Sequence, residues 1–174
     1  MPIARPPITH RNLPLLLLQA RERVISRFRP VLHGQRITEQ QWRIVRLLLE
    51  SGPLEPRQIG ESCSISSPSL AGVLARMEKL GLIVRKRFDS DQRRVRVSLT
   101  ERSRSLAARI APQIESAYAA IESRVGTQFT ELLYAMLDQL IAALADAAVP
   151  AGARRGLPSS RAGAAAGTPG AGRP

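Results

Sequence analysis

Apolar residues recur through most of the chain at spacings of three and four, which is the period of an amphipathic helix. A first helix is predicted from about Leu13 to Leu32, and Pro30 is expected to distort or shorten its last turn. A second helix starts at Thr38, because Thr38 and Gln41 have the spacing of a capping box. It stops at Ser51-Gly52-Pro53, a strong breaker segment.

Two shorter helices are predicted next. Pro56 suits the first turn of a helix that ends at Ser62. Ser67 followed by Pro68 predicts the capped start of a fourth helix, and Gly81 suits its end. The inner face of this fourth helix carries Leu70, Leu74 and Met77.

The pattern then changes to two short runs that favour strands, Leu82 to Arg87 and Val95 to Leu99. The polar residues between them predict one hairpin with a basic tip. Two long amphipathic helices follow, with a break at Gly126. Their apolar stripes are Leu106, Ile110, Ile114, Ala117, Ile121 and Val125 in the first, and Phe129, Leu133, Met136, Leu140 and Leu144 in the second.

This order of elements predicts a mainly α fold, a winged helix-turn-helix with one β-hairpin wing. Residues 34–100 form the winged unit, and residues 13–33 and 101–148 supply flanking helices. The apolar stripes of those helices exceed what the small centre can cover, so a homodimer is expected. The folded domain is therefore 13–148. The proline-rich residues 1–12 and the basic Gly/Ala tail 149–174 are expected to be disordered.

The charge of the chain points to an anionic partner. Among 174 residues, 26 Lys and Arg stand against 14 Asp and Glu, which gives a net charge of +12. The surplus lies in the first hundred residues and in the tail, whereas residues 101–150 carry −2. Membranes, RNA and acidic proteins all attract such a chain, so the charge alone does not choose among them.

Several other classes of protein are disfavoured. One cysteine, Cys63, and two distant histidines form neither a disulfide nor a metal site, and no other cofactor is indicated. The longest apolar run, Leu13 to Leu18, is too short for a membrane span or a secretory signal, so a cytoplasmic location is expected. Neither a phosphate loop nor a catalytic arrangement is suggested by the spacing, so the chain is not expected to be an enzyme.

The fourth helix is the candidate for reading DNA. Small residues near its start, Ser67, Ser69 and Gly72, allow a close approach to bases and phosphates. Arg76 follows on the same helix and is suited to clamp a phosphate or a guanine edge. The plainer interpretations are a simple N-cap for Ser67 and a surface ion pair near Glu78 for Arg76.

The hairpin has a strong excess of arginine and lysine. Arg87, Arg93 and Arg94 are candidates for contact with DNA, and Asp91 is expected to pair with Arg93 and stiffen the turn. Arg94 would then enter a minor groove, where narrow A·T stretches concentrate negative potential. The alternative interpretation is a solvated charged loop.

Two motifs in this region resemble one family. Asp91-Gln92-Arg93 followed by Val97-Ser98-Leu99-Thr100, and the preceding Gly81-Leu82-Ile83-Val84-Arg85, are similar to the wing of the MarR family of regulators. Segments Gln19–Glu22, Phe28–Pro30, Thr38–Arg46 and Pro68–Leu70 resemble the branch that represses homoprotocatechuate degradation. The resemblance implies a homodimer that binds palindromic double-stranded DNA. It also implies that a small phenolic carboxylate releases the protein from this DNA.

Trp42 and Arg46 lie four residues apart on the second helix, hence on one face. A guanidinium among apolar residues requires a carboxylate, which is either internal, from Glu39 or Glu50, or that of a ligand stacked on the indole. The resemblance favours the ligand. It also implies that Phe28 is a pocket wall and that Tyr118 is a hydroxyl partner for a phenol.

Two further hypotheses stay open. A nonspecific architectural nucleic-acid binder would account for the charge and the tail without any operator. A thiol-based redox regulator would act through Cys63, but no histidine or certain cation lies near it in sequence to favour the thiolate.

Overall fold

The computed structural model describes residues 9–87 and 94–145. Within these ranges the chain forms helices α1 (Leu13–Gly34), α2 (Glu39–Ser51), α3 (Pro56–Cys63) and α4 (Ser67–Lys79), strands β1 (Ile83–Arg87) and β2 (Val95–Leu99), and helices α5 (Glu101–Val125) and α6 (Thr127–Ala145). This is the expected mainly helical, winged architecture with one antiparallel hairpin. The segments 1–8 and 146–174, which include most of the two ends expected to be disordered, lie outside the described residues.

Of the two effects expected of Pro30, shortening of α1 is wrong, because the helix continues to Gly34. The last turn is anchored by Leu32, which is buried in the core. Its carbonyl oxygen accepts from the backbone amides of Gln35, at 3.1 Å, and Ile37, at 3.0 Å. These contacts outweigh the one hydrogen bond that a proline removes from a helix interior.

The capping box that predicts the start of α2 is confirmed. The backbone amide of Gln41 donates to Oγ1 of Thr38 at 3.2 Å, and the amide of Thr38 donates to Oε1 of Gln41 at 2.9 Å. The helix ends before Gly52, whose φ of 73° is accessible to glycine at little cost. Both boundaries of α2 therefore follow from local sequence.

The start of α4 differs from the prediction by one residue. The capping position belongs to Ser66, whereas Ser67 is the first residue of the helix and Pro68 the second. The other end agrees with the sequence: Gly81 has a φ of 66°, and the amide of Leu82 returns to the carbonyl of Met77 at 2.9 Å.

The two strands of the wing pair antiparallel, with Ile83 opposite Leu99 and Arg87 opposite Val95. A third segment joins them, because Leu54 forms a bridge with Val97 through two backbone hydrogen bonds of 2.8 and 3.1 Å. Leu54 lies just ahead of α3. The base of the wing is therefore attached to the helix-turn-helix by main-chain hydrogen bonds.

The core lies where helices α1 to α5 and the wing meet. Ile44, Ile59, Met77, Ile83 and Ile110 have no more than 1% of their surface exposed. Burial of a side chain of this size contributes about 1.5–3 kcal/mol. One face of each of the helices α1 to α5 is thus committed to the centre, which leaves their opposite faces available for function.

The described chain divides into two compact units, one ending at Thr130 and one beginning at Glu131 within α6. In α6 no side chain is buried, although most of its residues are apolar. Large apolar side chains are exposed along it, namely Phe129, Leu132, Leu133, Tyr134, Met136, Ile141 and Leu144. None of the described helices has the length and hydropathy to cross a bilayer.

Candidate DNA-binding surface and effector cleft

The outward face of α4 carries the small residues and arginine singled out from the sequence. Ser69, Gly72 and Arg76 follow one another at spacings of three and four, so they share one face of the helix. Leu70, Val73, Leu74 and Met77 are buried on the other face. Ser69 and Arg76 are exposed and Gly72 is half-buried.

The hydroxyl groups at the start of α4 contact each other. Oγ of Ser66 donates to Oγ of Ser69 at 3.0 Å, and both residues are exposed. Ser67 is exposed in the first turn, where amide groups have no partner within the helix and attract anions. This end of α4 therefore suits a phosphate or a base edge.

The guanidinium of Arg76 lies over Gly72. A Cβ atom at position 72 would be 3.5 Å from Nη1 of Arg76. The surface ion pair considered for Arg76 is not formed with Glu78. Instead, Nε of Arg85 donates to Oε2 of Glu78 at 2.9 Å. This guanidinium lowers the pKa of Glu78. Glu78 therefore does not neutralise Arg76 on the outer face of α4.

Of the wing residues named from the sequence, Arg87 is the last residue of β1 and is exposed. Arg94 directly precedes β2 and is exposed as well. Arg93 and Asp91, with the ion pair expected between them, lie outside the described residues. The described part of the wing is strongly basic on its outer surface.

Arg94 has a carboxylate partner that the sequence did not suggest. Its Nε donates to Oε1 of Glu55 at 2.9 Å, and Nη2 contacts the same oxygen. The expectation that Arg94 is left unpaired is therefore wrong, whereas its entry into a minor groove stays a prediction. The two residues are 39 positions apart, and the bridge between Leu54 and Val97 brings them together.

A second candidate site is a cleft of about 450 Å³ between α2 and α5. Its volume lies in the usual range for small-molecule sites. Both Trp42 and Arg46 line it, as their shared helical face implies. The full lining is Trp42, Arg46, Leu49 and Glu50 from α2, with Arg104, Ala107, Ala108, Ala111, Ile114 and Glu115 from α5.

Arg46 has an internal partner, which decides between the two carboxylates considered. Its Nε donates to Oε1 of Glu50 at 3.0 Å, and Nη2 lies 2.7 Å from the same oxygen. Glu39 accepts instead from Nε of Arg29 at 2.6 Å, with Arg21 at 3.3 Å. Glu39 therefore joins α2 to α1 rather than serving the cleft.

Phe28 and Tyr118 pair with each other. Their ring centroids are 4.8 Å apart and their planes are inclined by 61°, an edge-to-face contact. Phe28 is buried, whereas Tyr118 is 39% exposed. They do not appear among the residues that line the cleft, but Tyr118 follows Ile114 by one turn of α5. The aromatic pair therefore lies beyond one end of the lined part of α5.

The α5 wall of the cleft was missed by sequence reasoning. Arg104, Ala108, Ala111 and Glu115 recur at spacings of four, three and four, so they form one stripe with alanines in the middle. Alanines leave room beside a facing helix. That stripe was a usable signal for a groove with a charged residue at either end.

Cys63 is 2% exposed, and burial raises the pKa of its thiol more than nearby Arg43 lowers it. Nη1 of Arg43 donates to the carbonyl oxygen of Cys63, at 2.6 Å. The thiol is therefore protonated at neutral pH and is a poor nucleophile.

We expect alkylation of Cys63 in the native protein to be much slower than in denaturant, and its rate to rise with pH only above about 8.5, the ordinary thiol value. Mass spectrometry of timed alkylation measures both. Peroxide is expected to leave DNA binding intact in the wild type and in Cys63→Ala alike. Loss of binding in the wild type alone would restore the redox hypothesis.

Comparison with known proteins decides the family. The model of the MarR family matches residues 37–95. The homoprotocatechuate degradative operon repressor of Escherichia coli is 41% identical over 133 residues, which are 76% of this chain and 90% of the relative. The chain belongs to the MarR family of transcriptional regulators. The matched residues run from α2 through the wing to the start of β2, the part that carries the candidate DNA-binding surface.

Two further relatives support the same assignment. The transcriptional regulator FarR of Neisseria gonorrhoeae is 41% identical over 131 residues, covering 75% of this chain and 90% of FarR. The crystal structure of NadR in complex with 4-hydroxyphenylacetate is 40% identical with a TM-score of 0.69, covering 80% of this chain and 97% of NadR. This MarR protein is therefore a DNA-binding regulator related to the homoprotocatechuate repressors.

Proposed function

We propose that this MarR protein is a repressor of an operon for aromatic-acid catabolism. It binds a palindromic operator as a homodimer and is released by a small phenolic carboxylate. The observation that carries the proposal is the cleft in which Trp42 and Arg46 lie together. It pairs a flat indole with a guanidinium, as recognition of an aromatic acid requires. The names of the E. coli repressor and of the NadR complex support this ligand class.

The DNA-reading part of the proposal rests on α4 and the wing. Ser67, Ser69, Gly72 and Arg76 approach the major groove, and Arg87, Arg93 and Arg94 of the wing contact the neighbouring backbone or minor groove, with Asp91 stiffening the turn. The described members of this set are exposed, apart from half-buried Gly72. Phosphate contacts fix the position of the protein, and contacts to base edges supply its sequence preference.

The dimer is supported by unsatisfied apolar surface. Leu13, Leu15, Leu16, Leu17 and Leu18 of α1 are each 37–58% exposed, and α6 exposes a comparable set. Apolar surface of this extent in a charged protein marks an interface. A twofold dimer would present two α4 helices, which must be separated by roughly one turn of B-DNA, about 34 Å, for both to enter the major groove.

Ligand release follows from the position of the cleft. It lies between α2, which belongs to the winged unit, and α5, a flanking helix. A ligand that fits one relative placement of these helices better than another shifts the equilibrium toward it, and only this difference in affinity drives the change. A coupling of about 1–3 kcal/mol, typical of allosteric proteins, lowers operator affinity by roughly 5- to 150-fold.

The ligand carboxylate would compete with Glu50 for Arg46. Glu50 is 60% exposed on its side chain, so it readily yields to solvent. Tyr118, in edge contact with Phe28 near the end of the cleft, would reach the phenol of an elongated ligand. Phe28 and Tyr118 are therefore expected to contribute less to ligand binding than Trp42 and Arg46, which line the cleft.

Arg46→Ala is expected to abolish release by 4-hydroxyphenylacetate while operator affinity stays within about threefold of the wild type. The reason is that a hydrogen bond from a charged group to the ligand carboxylate contributes about 1.5–3 kcal/mol to ligand binding, so the variant binds the ligand too weakly to be released. Titration of ligand into a protein–operator complex, followed by fluorescence anisotropy, measures both quantities.

Glu50→Ala is the matched control, because it breaks the same ion pair from the other side and leaves the guanidinium in the cleft. We expect this variant to retain the response and to bind the ligand at least as tightly as the wild type. Equal ligand affinity in Arg46→Ala and wild type would contradict the carboxylate role. A loss in both variants would indicate that the ion pair only maintains the local structure.

A competition experiment with unrelated duplex DNA distinguishes this proposal from a nonspecific architectural binder. A regulator retains its operator in excess unrelated duplex, whereas an architectural protein distributes itself over both. Both lose affinity with salt, so salt dependence alone does not distinguish them.

A further inference from the structure

A second cleft, of about 510 Å³, shares no lining residue with the cleft of Trp42 and Arg46. It is formed by the turn between α1 and α2, the start of α5 and the segment after α4. Its apolar floor includes Ile37, Leu82 and Leu106, all buried in the core. Its polar residues are dominated by three arginines, Arg36, Arg102 and Arg109.

The arginines of α5 are placed by helical spacing. Arg102, Ser105 and Arg109 recur at intervals of three and four, and therefore share one face with Leu106. The backbone rises roughly 10 Å from Arg102 to Arg109. Long guanidinium side chains span this distance, so one small anion lying on Leu106 is within reach of both.

The third arginine enters from a strained turn. Arg36 has a φ of 55°, in the left-handed region that glycine and asparagine usually occupy. Its amide donates to the carbonyl of His33 at 3.0 Å, and Nη2 of Arg109 donates to Oε1 of Gln35 at 3.3 Å. The turn is thereby held against α5, and it places an arginine at a position where glycine would cost less.

The charge of this cleft is not balanced locally. No carboxylate lines it, and among the described residues none forms an ion pair with Arg36, Arg102 or Arg109. The cleft with Arg46 differs, because Glu50 and Glu115 line it beside two arginines. The three exposed arginines therefore give the cleft a local charge of +3 beside an apolar floor.

We propose that the cleft of Arg36, Arg102 and Arg109 binds a small organic phosphate, namely a phosphate monoester with an apolar body. The outer oxygens of a phosphate match three guanidinium groups and the Ser105 hydroxyl, and its double charge suits a site of charge +3. The floor of Ile37, Leu82 and Leu106 requires an apolar body, which free phosphate lacks. This ligand site is separate from the proposed effector cleft.

The site offers a second input to the same DNA-reading unit. It joins the end of α1, the start of α5 and Leu82, which leads directly into β1 of the wing. An organic phosphate bound there would hold these three segments in one arrangement. Occupancy is therefore expected to change operator affinity without involving Arg46.

The test measures phenyl phosphate binding to the full chain by isothermal titration calorimetry. We expect the wild type to bind phenyl phosphate at least tenfold more tightly than inorganic phosphate. Arg109→Gln and Arg102→Gln are each expected to weaken binding by roughly tenfold or more, the usual loss for a charge-assisted hydrogen bond. Arg124→Gln is the matched control, since it removes the same charge from α5 at a residue that lines neither cleft, and it should bind as the wild type does.

Three outcomes would overturn the proposal. Equal loss in Arg124→Gln would show attraction by net charge only. Loss in Arg46→Ala with retention in Arg109→Gln would place the phosphate in the other cleft. A salt slope of operator binding that falls by one in Arg109→Gln would show that the arginine contacts a DNA phosphate. Since 4-hydroxyphenylacetate release should survive Arg109→Gln, failure here is distinguishable from failure of the proposed function.

Discussion

Glutamate at both Leu133 and Met136 is expected to convert the protein from dimer to monomer. It should also weaken binding to a two-half-site operator by about 100-fold or more, since linked half-sites gain affinity by this order through effective concentration. Leu133 is 40% and Met136 58% exposed, three residues apart on α6. Two charges placed in a closed apolar interface would have to be desolvated without partners, which costs several kcal/mol. Sedimentation equilibrium and fluorescence anisotropy measure the two effects.

Ala142→Glu is the control for this prediction. Ala142 is exposed and lies on the opposite side of α6 from the Leu133 and Met136 pair, so it adds charge without entering the stripe. Circular dichroism verifies that the double variant stays folded, which is expected because neither residue is buried in the chain. A double variant that sediments as a dimer would contradict the assignment of α6 to the interface.

Arg94→Ala is expected to weaken operator binding by about tenfold and to reduce the slope of log K against log salt by about one. Arg94 is exposed at the wing, and its side chain is oriented by Glu55 at the start of α3. Orientation by a neighbouring carboxylate reduces the entropy that a long arginine loses when it meets a phosphate. Binding isotherms at several salt concentrations provide both numbers.

Glu55→Gln is the companion variant, because it keeps the size of the side chain and removes its charge. With the orienting carboxylate gone, Arg94 still meets its phosphate, so the salt slope is expected to stay close to that of the wild type while the preference for operator over unrelated DNA decreases. Arg124→Ala removes an arginine far from the wing in sequence and serves as the control. If Arg94→Ala matched that control, the role of the wing arginine would be refuted.

The helices and the wing were predictable because their signals are local. Thr38 and Gln41 form a capping box three residues apart, and Gly81 and Gly126 take the positive φ that their positions require. The exception was Pro30. Proline disfavours a helix interior, but the burial of Leu32 in the core keeps α1 helical beyond it. The extra pairing of Leu54 was not predictable, since one bridged residue leaves no alternating pattern.

Within the candidate site, only neighbours on the same helix face were predictable from the sequence. Trp42 and Arg46 share a face and line one cleft, and the internal partner of Arg46 proved to be Glu50, four residues away. Partners from distant segments were not accessible. Glu39 binds arginines of α1, and Glu55 binds Arg94 across 39 residues. Their pairing depends on how whole elements pack, which no short pattern encodes.

The two main-chain hydrogen bonds between Leu54 and Val97 have a consequence for how such a regulator diversifies. These hydrogen bonds hold the wing to the helix-turn-helix through main-chain atoms, so this attachment does not depend on the side chains of the outer face. Substitutions on the exposed side of α4 or near the end of β1 therefore leave folding largely intact. Under the proposed function, operator preference can therefore be altered by substitution without loss of the fold.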